Sequence, residues 1–363
     1  MEDKEDIFKV VHFVHWSRSG ITELLRNTES FNTRNSSALV LLNSDEEFDG
    51  YFNLFSPKIQ LFWSSDKFTA IFRFIRFMRA FSPNIIHCHS FTPLFFSIFF
   101  TRNRPIFCTV HSNYNYFSKR DPKSFAKRVF LRKFSSDPRV HFIAVSKIVA
   151  ESLERLGVDD VEIWPNALQD TKYQKMGIRE QNEEIRVCIL SRLDPQKNIK
   201  SVINAVYKFN KTKYAKKITL DIFGLGEQYG LLNDLINEKG MSASVNLMGY
   251  TKNADKALIN YDFFVSASTN EAFGLSILEA CRGRVPVIAT NEGEVANRLW
   301  ENNACIKIEG SNEDAILEAF EMALTMRNES IINMAIRARQ IFLKNYTLND
   351  YARKSYGRYA DYA

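Results

Sequence analysis

Phe263-Phe-Val-Ser-Ala-Ser-Thr-Asn-Glu271-Ala-Phe-Gly274-Leu-Ser-Ile-Leu-Glu279-Ala280 has the pattern of one strand–loop–helix unit of an open α/β sheet. A short apolar strand, Phe263–Ser266, feeds a polar loop that holds Glu271 and Gly274, and a helix carrying Glu279 follows. The start of that helix presents backbone N–H groups from about Phe273 to Ser276 and the positive end of its dipole, a ready anion site. Glu271, just before the turn, is placed to accept hydrogen bonds from sugar-like hydroxyls. Glu279, one to two turns inside, can grip a vicinal diol such as ribose. A glutamate at a helix start also gains from the dipole alone, and a second one is commonly just solvated. The strand–loop–Gly–helix context favours binding over that blander reading.

The same alternation runs along nearly the whole chain. Strands are expected at Phe8–His15, Ala38–Leu42, Ile85–His89, Ile106–His111 and His141–Val145, then at Ile185–Ser191, Ile218–Phe223, Val245–Met248, Phe263–Ser266 and Val285–Thr290. Between them lie helical patterns such as Lys147–Leu156, Lys200–Asn210, Tyr229–Glu238, Leu275–Arg282 and Asn312–Arg327. This is an α/β pattern with parallel sheets, and 363 residues suffice for two doubly wound domains. The polar stretch Asn166–Glu184 lacks either periodicity. The expected organisation is therefore a first Rossmann-like domain over 1–167, a linker over 168–181 and a second Rossmann-like domain over 182–345. The tyrosine-rich helix over 346–363 arrives after the second sheet is complete and must bury its apolar face on one of the two. Open α/β sheets bind ligands outside the carboxyl ends of their strands, so two domains facing across a cleft place the site between them.

Upstream, Val187-Cys-Ile-Leu-Ser-Arg192-Leu-Asp-Pro-Gln-Lys197 ends a strand with one cation and sets a second five residues on, before a helix. Arg as a planar fork and Lys as a point charge suit a diphosphate. Alone they could equally be solvated charges; beside the Glu271–Glu279 block the diphosphate reading prevails. Asp221-Ile-Phe-Gly224-Leu-Gly226 lacks the third glycine of a dinucleotide fingerprint and reads as tight turn geometry. His87 and His89 project to one face of a strand. Two ligands without a third or fourth favour packing over a metal. No Asp-x-Asp motif follows an apolar strand, so no metal is expected to clamp a diphosphate and no cofactor is required.

Five cysteines, spread out and without a Cys-x-x-Cys pair, point to reduced thiols in a cytosol. The longest apolar run, Phe91 to Phe100, is about half of the ~20 residues that a spanning helix needs, and the acidic start Met1-Glu-Asp-Lys-Glu-Asp6 is the reverse of a secretory signal. The net charge of +6 is unevenly placed: residues 51–150 hold 16 Lys and Arg against 3 Asp and Glu, together with 19 of the 30 phenylalanines. Phe and basic residues interleave over Phe68–Phe81 and Phe125–Phe134. Arg73, Arg76 and Arg79 are spaced to form one stripe on a helix, a candidate contact for an anionic membrane surface. A buried helix face backed by a solvated basic one is the alternative. No nucleic-acid motif is present, and no nucleic-acid partner is expected.

Together these motifs resemble glycosyltransferase family 4, retaining nucleotide-sugar transferases of the GT-B fold, over almost the whole chain. The resemblance runs through Ser191-Arg-Leu…Lys197, Phe223-Gly-Leu-Gly226, Gly249-Tyr, Glu271-Ala-Phe-Gly-Leu…Glu279-Ala and Pro286-Val-Ile-Ala. In the first half it is looser: Ser19-Gly20, Ile85-Ile-His-Cys-His89, Thr109-Val-His111, Ala144-Val-Ser146 and Pro165-Asn166. It implies that Arg192 and Lys197 hold the donor diphosphate and that Gly20 lets backbone approach the phosphates. Glu271 and the backbone of Phe273, Gly274 and Leu275 would hold donor sugar and phosphate, Glu279 the ribose, and His111 would lie beside the reacting sugar. The resemblance also implies that the C-terminal helix over 346–363 returns to pack on the first domain. The chain departs from the family pattern at Gly293-Glu294, Arg284 and Asn166-Ala167.

The resemblance implies transfer of a hexose-type sugar from a nucleoside diphosphate (UDP favoured) with retention, the leaving phosphate taking the acceptor proton. The basic aromatic stretch suggests a glycan acceptor that is lipid-linked, such as a polyprenyl-diphosphate oligosaccharide in O-antigen- or capsule-like polysaccharide assembly. The protein is expected in the cytoplasm, peripherally on the cytoplasmic face of the inner membrane. A non-catalytic sugar-nucleotide-binding scaffold subunit, or a GT-B epimerase or phosphorylase, is the alternative.

Overall fold

The computed structural model describes residues 8–16, 24–25, 27–28, 36–43, 58–60, 67–101, 103–112, 122–177, 184–212, 214 and 216–362. They form two compact units, one of residues 1–169 with 347–363 and one of residues 170–346. Segment 170–181, expected as part of a linker, therefore belongs to the second unit. The reason is local: Lys175 is buried there, its ammonium 3.6 Å from the Asp262 carboxylate and its backbone N–H bonded to the carbonyl of Gly283. Removing either partner would leave a buried charge unpaired, so the segment around Lys175 stays with the second unit.

In the first unit, β1 (Lys9–Trp16), β2 (Ser36–Asn43), β3 (Lys58–Gln60), β4 (Ile85–His89), β5 (Ile106–Val110), β6 (Val140–Ala144) and β7 (Glu162–Ile163) form one sheet in the order β3-β2-β1-β4-β5-β6-β7. Every pairing is parallel. Strands buried on both faces read as near-continuous apolar runs, and β4 and β5 are buried at every position. In helix Lys67–Phe81 the residues Ala70, Phe74, Met78 and Phe81 are buried, a helical spacing of one face. Phe74 stacks on Phe13 of β1 at 5.0 Å between ring centroids. The last helix, Leu348–Ala360, packs into this unit: Leu348, Tyr351 and Tyr359 share a core with Phe8, Val10, Phe107 and Trp164. Its entry is pinned by the Leu348 N–H on the carbonyl of Leu168, and its far end by Arg358 against Glu162 at 2.9 Å.

In the second unit, β8 (Glu184–Leu190), β9 (Lys217–Phe223), β10 (Val245–Gly249), β11 (Phe263–Ser266), β12 (Val287–Ala289) and β13 (Ile306–Lys307) make a parallel sheet ordered β10-β9-β8-β11-β12-β13. Each sheet reverses its strand order once, between β1 and β4 in one unit and between β8 and β11 in the other. These are the two places where the carboxyl ends of doubly wound sheets open a crevice. The doubly wound architecture read from the sequence is present in both units. β3, β7 and β13, which no alternation of apolar residues announced, are edge or near-edge strands of two or three residues.

Candidate functional site

The reversal point of the second sheet gathers the charged residues singled out in the sequence. Chain leaving β8 carries Arg192 and Lys197, and chain leaving the adjacent β11 carries Glu271. A short 3₁₀ turn, Pro195–Lys197, ends on Asn198 in the left-handed region. That turn aims Lys197 at the neighbouring loop, where its ammonium lies 2.5 Å from the Glu271 carboxylate with both side chains about four-fifths buried. Backbone ties hold the loops together: the Thr269 N–H donates to the carbonyl of Gln196 at 2.9 Å. Arg192 is 73% exposed and pairs with Asp194 at 2.8 Å, so it borders the crevice from the solvent side.

Two glycines permit this close approach. A Cβ on Gly226 would stand 2.6 Å from the backbone N and O of Leu193, and one on Gly224 would overlap the carbonyl of Ser191. The Gly-x-Gly turn therefore abuts the very loop that carries Arg192. On the other side, Gly293 lies at φ +93°, where a Cβ would meet Glu271 Cγ at 2.8 Å. The Val295 N–H donates to the carbonyl of Phe273 at 2.9 Å, so the start of helix Glu294–Glu301 braces the loop behind Glu271. Gly274 takes a left-handed conformation, φ +98°, as the residue preceding helix Leu275–Arg282. Gly274 has no side chain with which to cap that helix start, and the N–H groups of its first turn have no intrahelical acceptor. Phe273 and Gly274 are buried, while Leu275 and Glu279 are half-buried on the same short segment.

Within the first unit, His111 follows immediately after β5. Its Nε2 lies 3.4 Å from Nδ1 of His89, whose Nε2 lies 3.4 Å from Nδ1 of His12. Strand register explains the gathering: His12 pairs with His87 across β1 and β4, and Phe107 pairs with His87 across β4 and β5. Period two then puts His12, His87, His89, Phe107, Thr109 and His111 on one face. Burial holds the imidazoles neutral, pushing His12 and His111 down to about 3 and His87 and His89 well below the ordinary range.

Three of these histidines, His12, His87 and His89, bring ligand nitrogens within 4.8 Å of one another. The two nitrogens of His87 are already engaged, one by Tyr359 Oη at 2.5 Å and the other by Thr109 Oγ1 at 2.7 Å. Its ring stacks on that of His89 with centroids 4.1 Å apart and planes 29° off parallel. Lone pairs in nearly parallel rings do not converge on one ion, so the donor set fits a metal poorly.

Gly20 lies outside the described residues. Arg192, Lys197, Glu271 and the Phe273–Leu275 turn are brought together at one strand-order reversal. Arg73, Arg76 and Arg79 sit elsewhere, exposed on helix Lys67–Phe81. Sequence reading did not single out His12 or Tyr359. Only the strand order reveals His12 as the neighbour of the His87–His89 pair, and Tyr359 comes from the far end of the chain. Nor did it foresee Lys197 paired with Glu271, since each was assigned a separate ligand.

Residues 171–340 match the family described as Glycosyl transferases group 1, and residues 42–172 match Glycosyltransferase Family 4. The chain is similar to alpha-monoglucosyldiacylglycerol synthase of Acholeplasma laidlawii, 23% identical over 318 residues that cover 80% of this chain and 78% of that protein. It is 29% identical over 200 residues to poly(glycerol-phosphate) alpha-glucosyltransferase of Bacillus subtilis, 54% of this chain but 28% of that longer protein. Among solved structures, HepE of Anabaena in complex with UDP and glucose superposes with a TM-score of 0.78 at 15% identity, over 96% of this chain and 98% of that one. TarM of S. aureus, solved with UDP and alpha-GlcNAc-glycerol, gives 0.76 at 14% identity over 97% and 100%. At such identities the likeness establishes the fold, which is GT-B.

Proposed function

Because the chain belongs to glycosyltransferase family 4, we propose that it moves a hexose-type sugar from a nucleoside diphosphate, UDP in the first instance, to a glycan acceptor with retention of configuration. The observation that carries this reading is the Lys197–Glu271 pair, 2.5 Å apart and mostly buried, at the reversal point of the second sheet beside the uncapped helix start. A buried ammonium held by one carboxylate retains donors for a second anion, and the helix N–H groups supply more. In this reading the donor diphosphate bridges Arg192, Lys197 and the Gly274–Leu275 turn. Glu271 accepts from sugar hydroxyls and Glu279 from the ribose.

Bond cleavage at the anomeric carbon develops negative charge on the leaving phosphate and positive charge on an oxocarbenium-like sugar. Arg192, Lys197 and the helix start are fixed in advance where the negative charge grows, which is the largest contribution such sites make. The acceptor hydroxyl attacks from the face the diphosphate leaves, and its proton passes to the departing phosphate oxygen. The family resemblance assigns His111 to the reacting sugar. No divalent ion is required in this scheme.

The acceptor proposed is lipid-linked, a polyprenyl-diphosphate oligosaccharide at the cytoplasmic membrane surface. Support comes from helix Lys67–Phe81, where Arg73, Arg76 and Arg79 are exposed next to Phe68 and Phe72, 88% and 67% exposed. Each such cation near an anionic leaflet contributes about 1 kcal/mol, and exposed rings add interfacial burial. No helix among the described residues is long and apolar enough to cross a membrane. A diacylglycerol glycolipid acceptor is the second reading, favoured by the name of the Acholeplasma relative. The test is mass spectrometry of products from a panel of nucleotide sugars offered with each lipid acceptor, for wild type and Glu271→Ala. Transfer by the wild type and a loss of orders of magnitude in the variant are expected. Release of free sugar alone, or a fully active variant, would overturn the assignment.

A further inference from the structure

The column of imidazoles in the first unit goes beyond packing. His111 has two ring nitrogens with different fates: Nε2 is taken by His89, while Nδ1 is buried and has no partner among the described residues. A buried, unpaired ring nitrogen is costly unless a ligand completes it. His89 is itself held on its other nitrogen by His12, and its ring is clamped face-on by His87, which Tyr359 and Thr109 fix at both nitrogens. His89 is 1% exposed and His12 3%, so solvent cannot substitute for either contact.

We propose that His89 is a positioning residue for His111, orienting the ring through its own Nδ1 so that Nδ1 of His111 is the atom presented to a hydroxyl of the reacting sugar. The inference rests on the reading that His111 lies beside that sugar. Two neutral arrangements of the column exist. With protons pointing from His12 towards His111, each N–H donates up the column and Nδ1 of His111 carries a hydrogen to donate. With protons pointing the other way, Nδ1 of His111 offers a lone pair. In both, the ring plane is set by His89. At 3.4 Å both contacts are long for hydrogen bonds, and catalytic hydrogen bonds of that kind tighten when substrate binds.

The chemistry of amide side chains provides the test, because Asn reproduces the polar atom at the Nδ1 position of His and Gln the one at Nε2. His89→Asn keeps the contact to His111 and loses that to His12; His89→Gln does the reverse. Turnover with a saturating donor is expected to stay within about threefold of wild type in His89→Asn and to fall roughly 10–100-fold in His89→Gln, the scale of a misplaced group. KM for the donor should change little in either. Thermal unfolding of both variants tells a fold defect from a positioning one, since a packing role would move the two alike. Nitrogen-15 spectra of labelled histidine in the intact protein report the His111 ring directly, and its signals should move in His89→Gln and not in His89→Asn. Equal kcat and equal spectra in the two variants would overturn the inference. Full activity in His111→Ala would instead remove the reading on which it rests.

Discussion

Acidification from pH 7 to 5.5 should loosen the first unit and leave the second almost untouched. All six histidines lie in the first unit, and the second has none. Three of them, His12, His87 and His89, are at most 3% exposed and are kept neutral by burial. The influences on His87 and His89 are burial and other imidazoles; no carboxylate among the described residues offsets them. Each has a folded-state pKa below its ordinary 6.5, so its contribution to stability is complete above that value. The contribution is lost as pH falls towards the folded value, about 3 for His12, because the unfolded chain binds the proton first. One unit below 6.5 each buried neutral imidazole costs about 1.4 kcal/mol, and three cost about 4 kcal/mol, a large share of the ~5–15 kcal/mol that holds a domain. Hydrogen exchange followed by mass spectrometry, corrected for intrinsic rates, reads this locally. Protection in Ile85–His89 and Ile106–Val110 should fall by on the order of a thousandfold, while Glu184–Leu190 and Lys217–Phe223 change little. An equal loss in both units, or none in the first, would show that these imidazoles are not held neutral by burial.

Other outcomes test other parts of the account. Gly226→Ala forces a methyl group into the backbone of Leu193, 2.6 Å away, and should cost about 1–3 kcal/mol while weakening UDP binding by displacing the Arg192 loop; a destabilised variant with unchanged affinity would separate the turn from the site. Transfer should survive a chelator, and a complete loss restored by Mg²⁺ or Mn²⁺ would contradict the metal-free scheme. Exchanging Arg73, Arg76 and Arg79 for Glu should abolish salt-sensitive binding to vesicles containing anionic lipid and leave transfer to a soluble acceptor analogue intact. Equal sedimentation of wild type and triple variant at low salt would mean that the stripe is merely solvated.

The parts of the fold that were legible are those in which local period and tertiary burial agree. β8, β9, β11 and helix Leu275–Arg282 fall within a residue or so of their expected bounds because each is a short apolar run or stripe between polar loops. β7 and β13 are two residues long, too short to carry a period, and exist through pairing with β6 and β12. The expected linker was read from polarity alone, but Lys175 is buried because Asp262, far along the chain, neutralises it. In the site, residue types and strand ends singled out Arg192, Lys197 and Glu271, which the fold gathers at one reversal point. Their mutual pairing, and the packing of Gly293 on Glu271, depend on which loops touch. His12 and Tyr359 show the same boundary more sharply. Their meaning rests on strand order and on a helix that returns from the chain end, neither of which a linear pattern encodes.

Calorimetric titration of UDP into wild type, Arg192→Ala and Lys197→Ala tests most directly the claim that the reversal point of the second sheet binds a nucleoside diphosphate. A charge-assisted hydrogen bond contributes about 1.5–3 kcal/mol, so each substitution should weaken binding by roughly 10–150-fold. The Lys197 change should be the larger, since that side chain is 15% exposed and the Arg192 side chain 73% exposed. Wild-type affinity in Lys197→Ala would mean that Lys197 serves only Glu271 and that the diphosphate is held elsewhere.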